Sequence, residues 1–341
     1  MTPNNKETIL KWRDNLCALL RIGTLATAAF TWLGLLSGAG WIFDLVSHFR
    51  WQYALIQLCF CAPAIWWFWQ RQEAELTPSL STWVYHRSEL SVLVASLLLN
   101  CLLIGQLYLP AENSKGQKEA ASFKVIQLNV NSRNDRYEDV TALIRQYDPD
   151  VIALQEVSEE WCRALKTRLN KYPHCICQAR MDNFGVALFS KRPLTKGEIV
   201  LYGTAGVPTV LAELEFDGAP LSVLSTHPLP PMAPEYFDFR NDQFSALAKA
   251  RAGWRKSVVL LGDLNCTSWS QYFSDFCRSA GVKDSRQGFG IQSSWPTQVF
   301  LLTIPIDHCL ISADLIVKDR KICQSVGSDH YPVYMELVRK H

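Results

Sequence analysis

The chain has 341 residues and is close to neutral, with 34 Lys and Arg against 32 Asp and Glu. After residue 110 the count is 27 against 26, which disfavours a domain that grips nucleic acid mainly through its phosphates, because such domains carry a basic excess. The apolar residues are spread so unevenly that two environments are implied, one lipid and one aqueous.

Three stretches near the amino terminus, Ile22 to Phe43, Trp51 to Gln70 and Leu90 to Pro110, contain no Asp, Glu, Lys or Arg. Each is about the 20 residues that cross a bilayer as a helix. A buried core helix or a cleaved signal would explain one such stretch but not three in succession. The expectation is a membrane domain over 1–110 with three transmembrane helices. Lys6, Lys11, Arg13 and Arg21 before the first span, with Arg71 and Arg87 between the second and third, place the amino terminus in the cytoplasm and the chain after Pro110 on the far side. Lys115, Lys118 and Lys124 pull against that orientation. Trp66, Trp67 and Trp69 read as an interfacial belt. Gln57, Asn100 and Gln106 are among the polar residues within the second and third spans, and helix packing is their expected role.

Residues 111–122 turn polar and read as a linker, and a second domain is expected over 123–341. There, short runs of Val, Ile and Leu predict strands at Lys124 to Leu128, Val151 to Leu154, Val186 to Ser190, Thr209 to Phe216, Leu221 to Thr226, Val258 to Leu261, His308 to Ser312 and Val333 to Leu337. Val140, Leu143, Ile144 and Tyr147 mark one helix face, a second helix is expected from about Phe239 to Ala252, and a third after Trp269. Many strands with few helices suggest two sheets packed face to face with helices outside, an α/β class. None of the 11 Cys has convincing zinc spacing, and His174, Cys175 and Cys177 read as alternation in a half-buried strand. An oxidising compartment would allow some pairs to bridge, with partners that the spacing does not name.

Polar residues fall at the strand ends. Asn129 and Asn131 follow the first, Gln155 and Glu156 the second, and His227 closes another. Asp263 and Asn265 follow Val258 to Gly262, Asp307 opens a strand, and Asp329 and His330 precede the last. Each alone has an ordinary explanation as a turn former, helix cap or satisfied loop residue. Together they supply carboxylates for a hard cation, a base for water and donors for phosphoryl oxygens, which is the equipment of phosphate-ester hydrolysis.

In order along the chain stand Gln127-Leu128-Asn129-Val130-Asn131, Ile152-Ala153-Leu154-Gln155-Glu156, Ser190-Lys191-Arg192-Pro193-Leu194, Thr226-His227, Gly262-Asp263-Leu264-Asn265, Ile306-Asp307 and Ser328-Asp329-His330. With these blocks residues 123 to 338 resemble the endonuclease/exonuclease/phosphatase superfamily. The three apolar stretches and Pro-rich Pro228 to Pro234 are similar to its bacterial membrane-bound branch. The resemblance implies a deoxyribonuclease-I-like, four-layered α/β sandwich, and an inner-membrane protein whose catalytic domain is periplasmic. It implies that Glu156 is the main ligand of a Mg2+ or Mn2+ ion, with Asn131 and Asp329 completing the shell. It further implies that Asp263 deprotonates the attacking water, that Asn129, Asn265 and His227 bind the phosphate oxygens, and that Asp307 orients a phosphate-facing His330. Two positions depart from the pattern: Asn131 stands where many members have Asp, and His308 where Tyr is common.

The reading is a membrane-anchored, divalent-metal-dependent phosphoric-ester hydrolase, a phosphodiesterase or phosphatase whose substrate partner is a lipid head group or small phosphoester. The apolar loop Leu229 to Pro234 would touch lipid or, alternatively, form a stiff surface turn. A membrane-tethered nuclease is one alternative, with Arg133, Arg136, Arg180 and Arg192 as candidate backbone grips. A catalytically silent scaffold is the other. No obligate protein partner is inferred.

Overall fold

A computed structural model describes residues 3–60, 80–110 and 121–340. The chain divides into two compact units, Met1–Gly105 and Gln106–His341.

In the first unit, α1 (Pro3–Leu33) runs into a 3-10 turn (Gly34–Ala39), α2 (Trp41–Ser47) follows, α3 is described over residues 50–60, and α4 covers Leu80–Gly105. Among the described residues two helices, rather than the expected three, are long and apolar enough to cross a membrane: Leu19–Ala39 and Ser88–Tyr108. The expected first span ends early because Gly40, at φ 145°, breaks the helical path before Trp41. Of the expected second span, 51–60 is helical, while 61–70, with Trp66, Trp67 and Trp69, lies outside the described residues. So does nearly all of the 111–122 linker. Asn100 Nδ2 donates to Thr31 Oγ1 (2.8 Å) and Gln57 Oε1 (3.2 Å), joining α4, α1 and α3 through buried polar side chains. Such bonds fasten apolar helices to one another.

The second unit is built on two six-stranded mixed sheets, with orders β11-β12-β1-β2-β4-β3 and β5-β6-β7-β8-β10-β9. The strands are β1 (Phe123–Asn129), β2 (Val151–Gln155), β3 (His174–Gln178), β4 (Val186–Ser190), β5 (Leu194–Leu201) and β6 (Pro208–Phe216). They continue as β7 (Ala219–Thr226), β8 (Ser257–Asp263), β9 (Val282–Asp284), β10 (Asp307–Ser312), β11 (Leu315–Ile322) and β12 (Val333–Arg339). Helices α5 (Tyr137–Tyr147) and α6 (Glu159–Arg168) cover the first sheet, and α7 (Pro234–Ala250) and α8 (Gln271–Ala280) cover the second.

Side-chain parity explains the layers, since alternate residues of a strand point to opposite faces. Phe123 and Val125 of β1 and Val151 and Ala153 of β2 meet Val223 of β7 and Val259 and Leu261 of β8 in the core between the sheets. The opposite phase, Ile126, Leu128, Ile152 and Leu154, packs under Leu143, Trp161 and Leu165 of the outer helices. On the other side Leu224, Val258 and Leu260 pack under Phe244, Leu247 and Phe276. Two sheets with helices on both outer faces make an α/β sandwich. β3 bears the His174, Cys175 and Cys177 cluster, and Cys177 is disulfide-bonded to Cys162 of α6. Pro234, expected in the loop after His227, instead opens α7, where its missing N–H costs nothing.

Candidate active site

The site lies where the core between the sheets changes from apolar to polar. Continuing the inward parity of Phe123 and Val125 gives Gln127 and Asn129. The same rule gives Gln155 on β2, Ser225 on β7, Asp263 on β8 and Asp307 on β10, and all six are buried. Strand register aligns them, with Asn129 opposite Gln155 and Asp307 opposite Asp263.

Gln127, Gln155 and Ser225 form a hydrogen-bonded floor between the two sheets. Gln127 Nε2 donates to Gln155 Oε1 and to Asp307 Oδ1, each at 2.8 Å, and Gln155 Nε2 donates to Ser225 Oγ at 3.0 Å. This layer satisfies both polar ends of the Gln155 side chain and the Gln127 amide donor, while Gln127 Oε1 is left without a partner. It also fixes the Asp307 carboxylate, whose other oxygen, Oδ2, lies 2.8 Å from His330 Nδ1.

Above the floor three groups converge on Asp263 Oδ2: Asn129 Nδ2 at 3.2 Å, His227 Nε2 at 3.4 Å and His330 Nε2 at 3.6 Å. Asp263 Oδ1 accepts the backbone N–H of Asn265 at 3.0 Å. Burial disfavours the charged form of Asp263, yet His330 and His227 outweigh it and hold the carboxyl at about 2. Burial likewise disfavours a charged His330, but Asp307 and Asp263 push it up to about 10. His227 is raised as well, its burial overcome by Asp263. Its Nδ1 is buried without a hydrogen-bond partner, and the Phe184 ring lies against the imidazole at a centroid distance of 5.3 Å.

Glu156 follows β2 in a left-handed conformation (φ 57°), a turn that carries its carboxylate off the strand end, and its Oε1 accepts Asn129 Nδ2 at 2.8 Å. Asn131, also left-handed, donates Nδ2 to Asp329 Oδ1 at 2.7 Å, while Trp295 Nε1 donates to Asp329 Oδ2 at 3.0 Å. Asn265 spends one N–H on the Pro228 carbonyl at 3.0 Å, and an amide has two such donors. The backbone carbonyl of Asn265 is held in turn by Arg240 Nη1 of α7, also at 3.0 Å.

The sequence-predicted residues thus fall into two groups joined by Asn129. Asp263, His227, His330, Asp307 and Asn265 form the tight cluster, and Glu156, Asn131 and Asp329 stand on the loops above the first sheet. Among the described residues, Asp263, Asp307 and His330 place their ligating atoms within 4.8 Å of one another, a spacing that a metal could use. His330 Nδ1 hydrogen-bonds Asp307 Oδ2 at 2.8 Å and its Nε2 lies at an ion-pair distance of 3.6 Å from Asp263 Oδ2, so the imidazole between the two carboxylates accounts for the spacing. Glu156, Asn131 and Asp329 offer oxygen donors, which suit a hard cation.

Sequence reasoning assigned no role to Gln127, Ser225, Phe184, Trp295 or Arg240. Parity along β1 and β7 would have revealed the first two. The others come from loops and a helix whose approach to the site is a tertiary fact. His308, the second departure from the pattern, points to the opposite face of β10 from Asp307. It bonds the Cys266 carbonyl through Nε2 at 2.7 Å and packs on the Phe273 ring.

Residues 126–330 match the Endonuclease/Exonuclease/phosphatase family, and the chain belongs to it. Family and fold point to a hydrolase that acts on phosphoesters. No protein of curated function matches the sequence. Among solved structures, the D. rerio TDP2 complexed with single strand DNA product is 17% identical with a TM-score of 0.55, over 64% of this chain and 99% of that one. An endonuclease/exonuclease/phosphatase from Bacteroides vulgatus is likewise 17% identical at a TM-score of 0.55, over 64% of this chain and 100% of its own. A family protein from Bacteroides thetaiotaomicron is 18% identical at 0.55, over 66% and 100%. At such identities the likeness is one of fold.

Proposed function

We propose that the protein is a membrane-anchored, divalent-metal-dependent phosphoric-ester hydrolase that acts on a lipid head group or a small phosphoester at the membrane. The observation that carries the chemistry is the convergence of Asn129, His227 and His330 on one buried oxygen of Asp263.

A carboxylate held at about 2 is ionised at every physiological pH, so its oxygens can accept a hydrogen bond from water. Asp263 aligns a water and takes its proton as the oxygen attacks phosphorus. His330, kept cationic by Asp307, and His227 present N–H donors where negative charge gathers on the phosphoryl oxygens. Asn129 and the free N–H of Asn265 add neutral donors. Glu156, with Asn131 and Asp329, would hold the Mg2+ or Mn2+ ion, whose chemistry there is Lewis-acid polarisation of a phosphoryl oxygen. The left-handed turns at Asn131, Glu156 and Asn265 aim these side chains from rigid strand ends.

Three of the four arginines considered as nucleic-acid grips are engaged in ion pairs: Arg136 with Asp139, Arg180 with Asp182 and Arg192 with Asp150. With the near-neutral charge after residue 110, this supports a lipid or small phosphoester over a nucleic-acid backbone. The two apolar helices support anchorage, in a bacterial inner membrane with the catalytic unit on the periplasmic side.

The test is turnover by detergent-purified full-length protein on phospholipids, plasmid DNA and RNA, with Mg2+ and with chelator. Release from a phospholipid that needs Mg2+, and that falls about 10²–10⁴-fold in Asp263→Asn, is the expected result. Nicking of DNA instead would make the protein a tethered nuclease, and an Asp263→Asn enzyme as fast as its parent would remove the proposed base.

A further inference from the structure

The segment joining β9 to β10 contains no Asp, Glu, Lys, Arg or His from Gln287 to Ile306. It is fastened on both sides of its tip. Thr297 donates from its backbone N to the Asp329 carbonyl (2.9 Å) and from Oγ1 to the Ser328 carbonyl (3.0 Å), and Ile304 N donates to the Trp295 carbonyl. Between these fastenings Val299, Phe300, Leu301 and Leu302 are 47, 75, 59 and 53% exposed. Four large apolar side chains in a row, held out of the core by a hydrogen-bonded loop, mark an interaction surface rather than an accident of folding.

The base of the same segment identifies what lies beside it. Residues 106–108 end the apolar helix Ser88–Tyr108, and they are also the first residues of the catalytic unit. The Leu107 carbonyl accepts the backbone N–H groups of Gly288 (2.9 Å) and Gly290 (3.0 Å). Gln287 Nε2 donates to the carbonyls of Gln106 and Leu109, each at 2.8 Å. A Cβ on Gly290 would come within 2.6 Å of the Tyr108 ring, so this seam requires glycine. The loop therefore starts from the very residues where the apolar helix ends, nine positions before its exposed tip begins at Val299. Two more strand-end loops around the site carry exposed methionines. Met232 stands five residues after His227, and Met181 three before the Phe184 that packs on His227.

We propose that the Val299–Leu302 tip inserts into the surface of a phospholipid bilayer, so that the loop bearing Asp329 and His330, to which Thr297 fastens the segment, faces that surface and the site takes phosphoesters borne on lipid head groups. The choice of substrate rests on the hydrolase reading above, whereas the insertion does not. Acyl chains suit the tip because it is uncharged and apolar. The absence of acidic side chains along the whole segment avoids repulsion from anionic head groups.

The test uses full-length protein in liposomes of phosphatidylethanolamine and phosphatidylglycerol, with p-benzoylphenylalanine in place of Phe300 or, as control, of exposed Lys256 at the opposite end of β8. On irradiation, lipid adducts at position 300 at least tenfold above those at 256 are expected. Equal yields at the two positions would overturn the insertion, whatever the enzyme hydrolyses. Adducts at 300 without any phospholipid turnover would uphold the insertion and remove the lipid-hydrolase reading. As a second readout, Phe300→Asp with Leu301→Asp should lower turnover of liposomal phospholipid about tenfold and leave that of soluble bis(4-nitrophenyl) phosphate unchanged. Parallel loss on both substrates would count against the proposal.

Discussion

His308 and Asp307 are neighbours on β10 with opposite fates, because adjacent residues of a strand face opposite ways. Asp307 points into the polar floor and holds a cationic His330, while His308 points to the outer core beside Phe273. Burial, aided by Arg286, lowers His308 to about 3, so it is neutral in the folded chain. The unfolded chain takes up that proton below about 6.5. As pH falls from there toward 3 the unfolded state gains about 1.4 kcal/mol per pH unit from this one group. His308→Phe should therefore lose about 2–3 kcal/mol less than its parent when denaturation in detergent is compared at pH 7 and pH 4.5. Equal losses would mean that His308 is not the acid-sensitive group. The ionisable members of the site were legible in the sequence because each is a polar residue at the edge of an apolar run. Gln127 lies inside such a run, where only its phase relative to Val125 sets it apart.

Among the elements, the central strands could be read directly: β1, β2, β4, β7, β8, β10 and β12 are apolar runs with clear ends. β5, with Lys196 and Glu198, and β11, with Lys318, Asp319 and Lys321, escaped the same reading, because edge strands carry charge that blunts further pairing. Helix α6 was hidden by its brevity, although Ser158 caps it by accepting the Trp161 N–H. In the first unit, apolar composition concealed the break at Gly40. The junction of β7 and β8 shows how tightly one element limits another. A Cβ on Gly262 would sit 1.9 Å from the Thr226 carbonyl oxygen, directly beside His227 and Asp263. Gly262→Ala must force these strands apart, and a destabilisation of about 2–3 kcal/mol is expected. Activity should fall further than the loss of folded protein explains, since Asp263 moves with the strand. Calorimetry with turnover on the same sample checks this, and an alanine variant of full stability would contradict the clash.

For the molecule as a whole, the two apolar helices make a prediction independent of catalysis. After washing at alkaline pH, which strips peripheral proteins, the full-length chain should remain in the membrane pellet; release into the supernatant would refute anchorage. The second unit adds a constraint of another kind. β1, the first strand of its sheet in sequence, is flanked by β2 and by β12, the last. Asp307 and His330, which complete the cluster around Asp263, are contributed by the final segments as well. A ribosome extending this chain therefore exposes Glu156, His227 and Asp263 long before β10 and β12 can join them. On the chemistry proposed above, the nascent polypeptide would stay silent until β12 has emerged, and hydrolysis would start only when β1 and β12 have met.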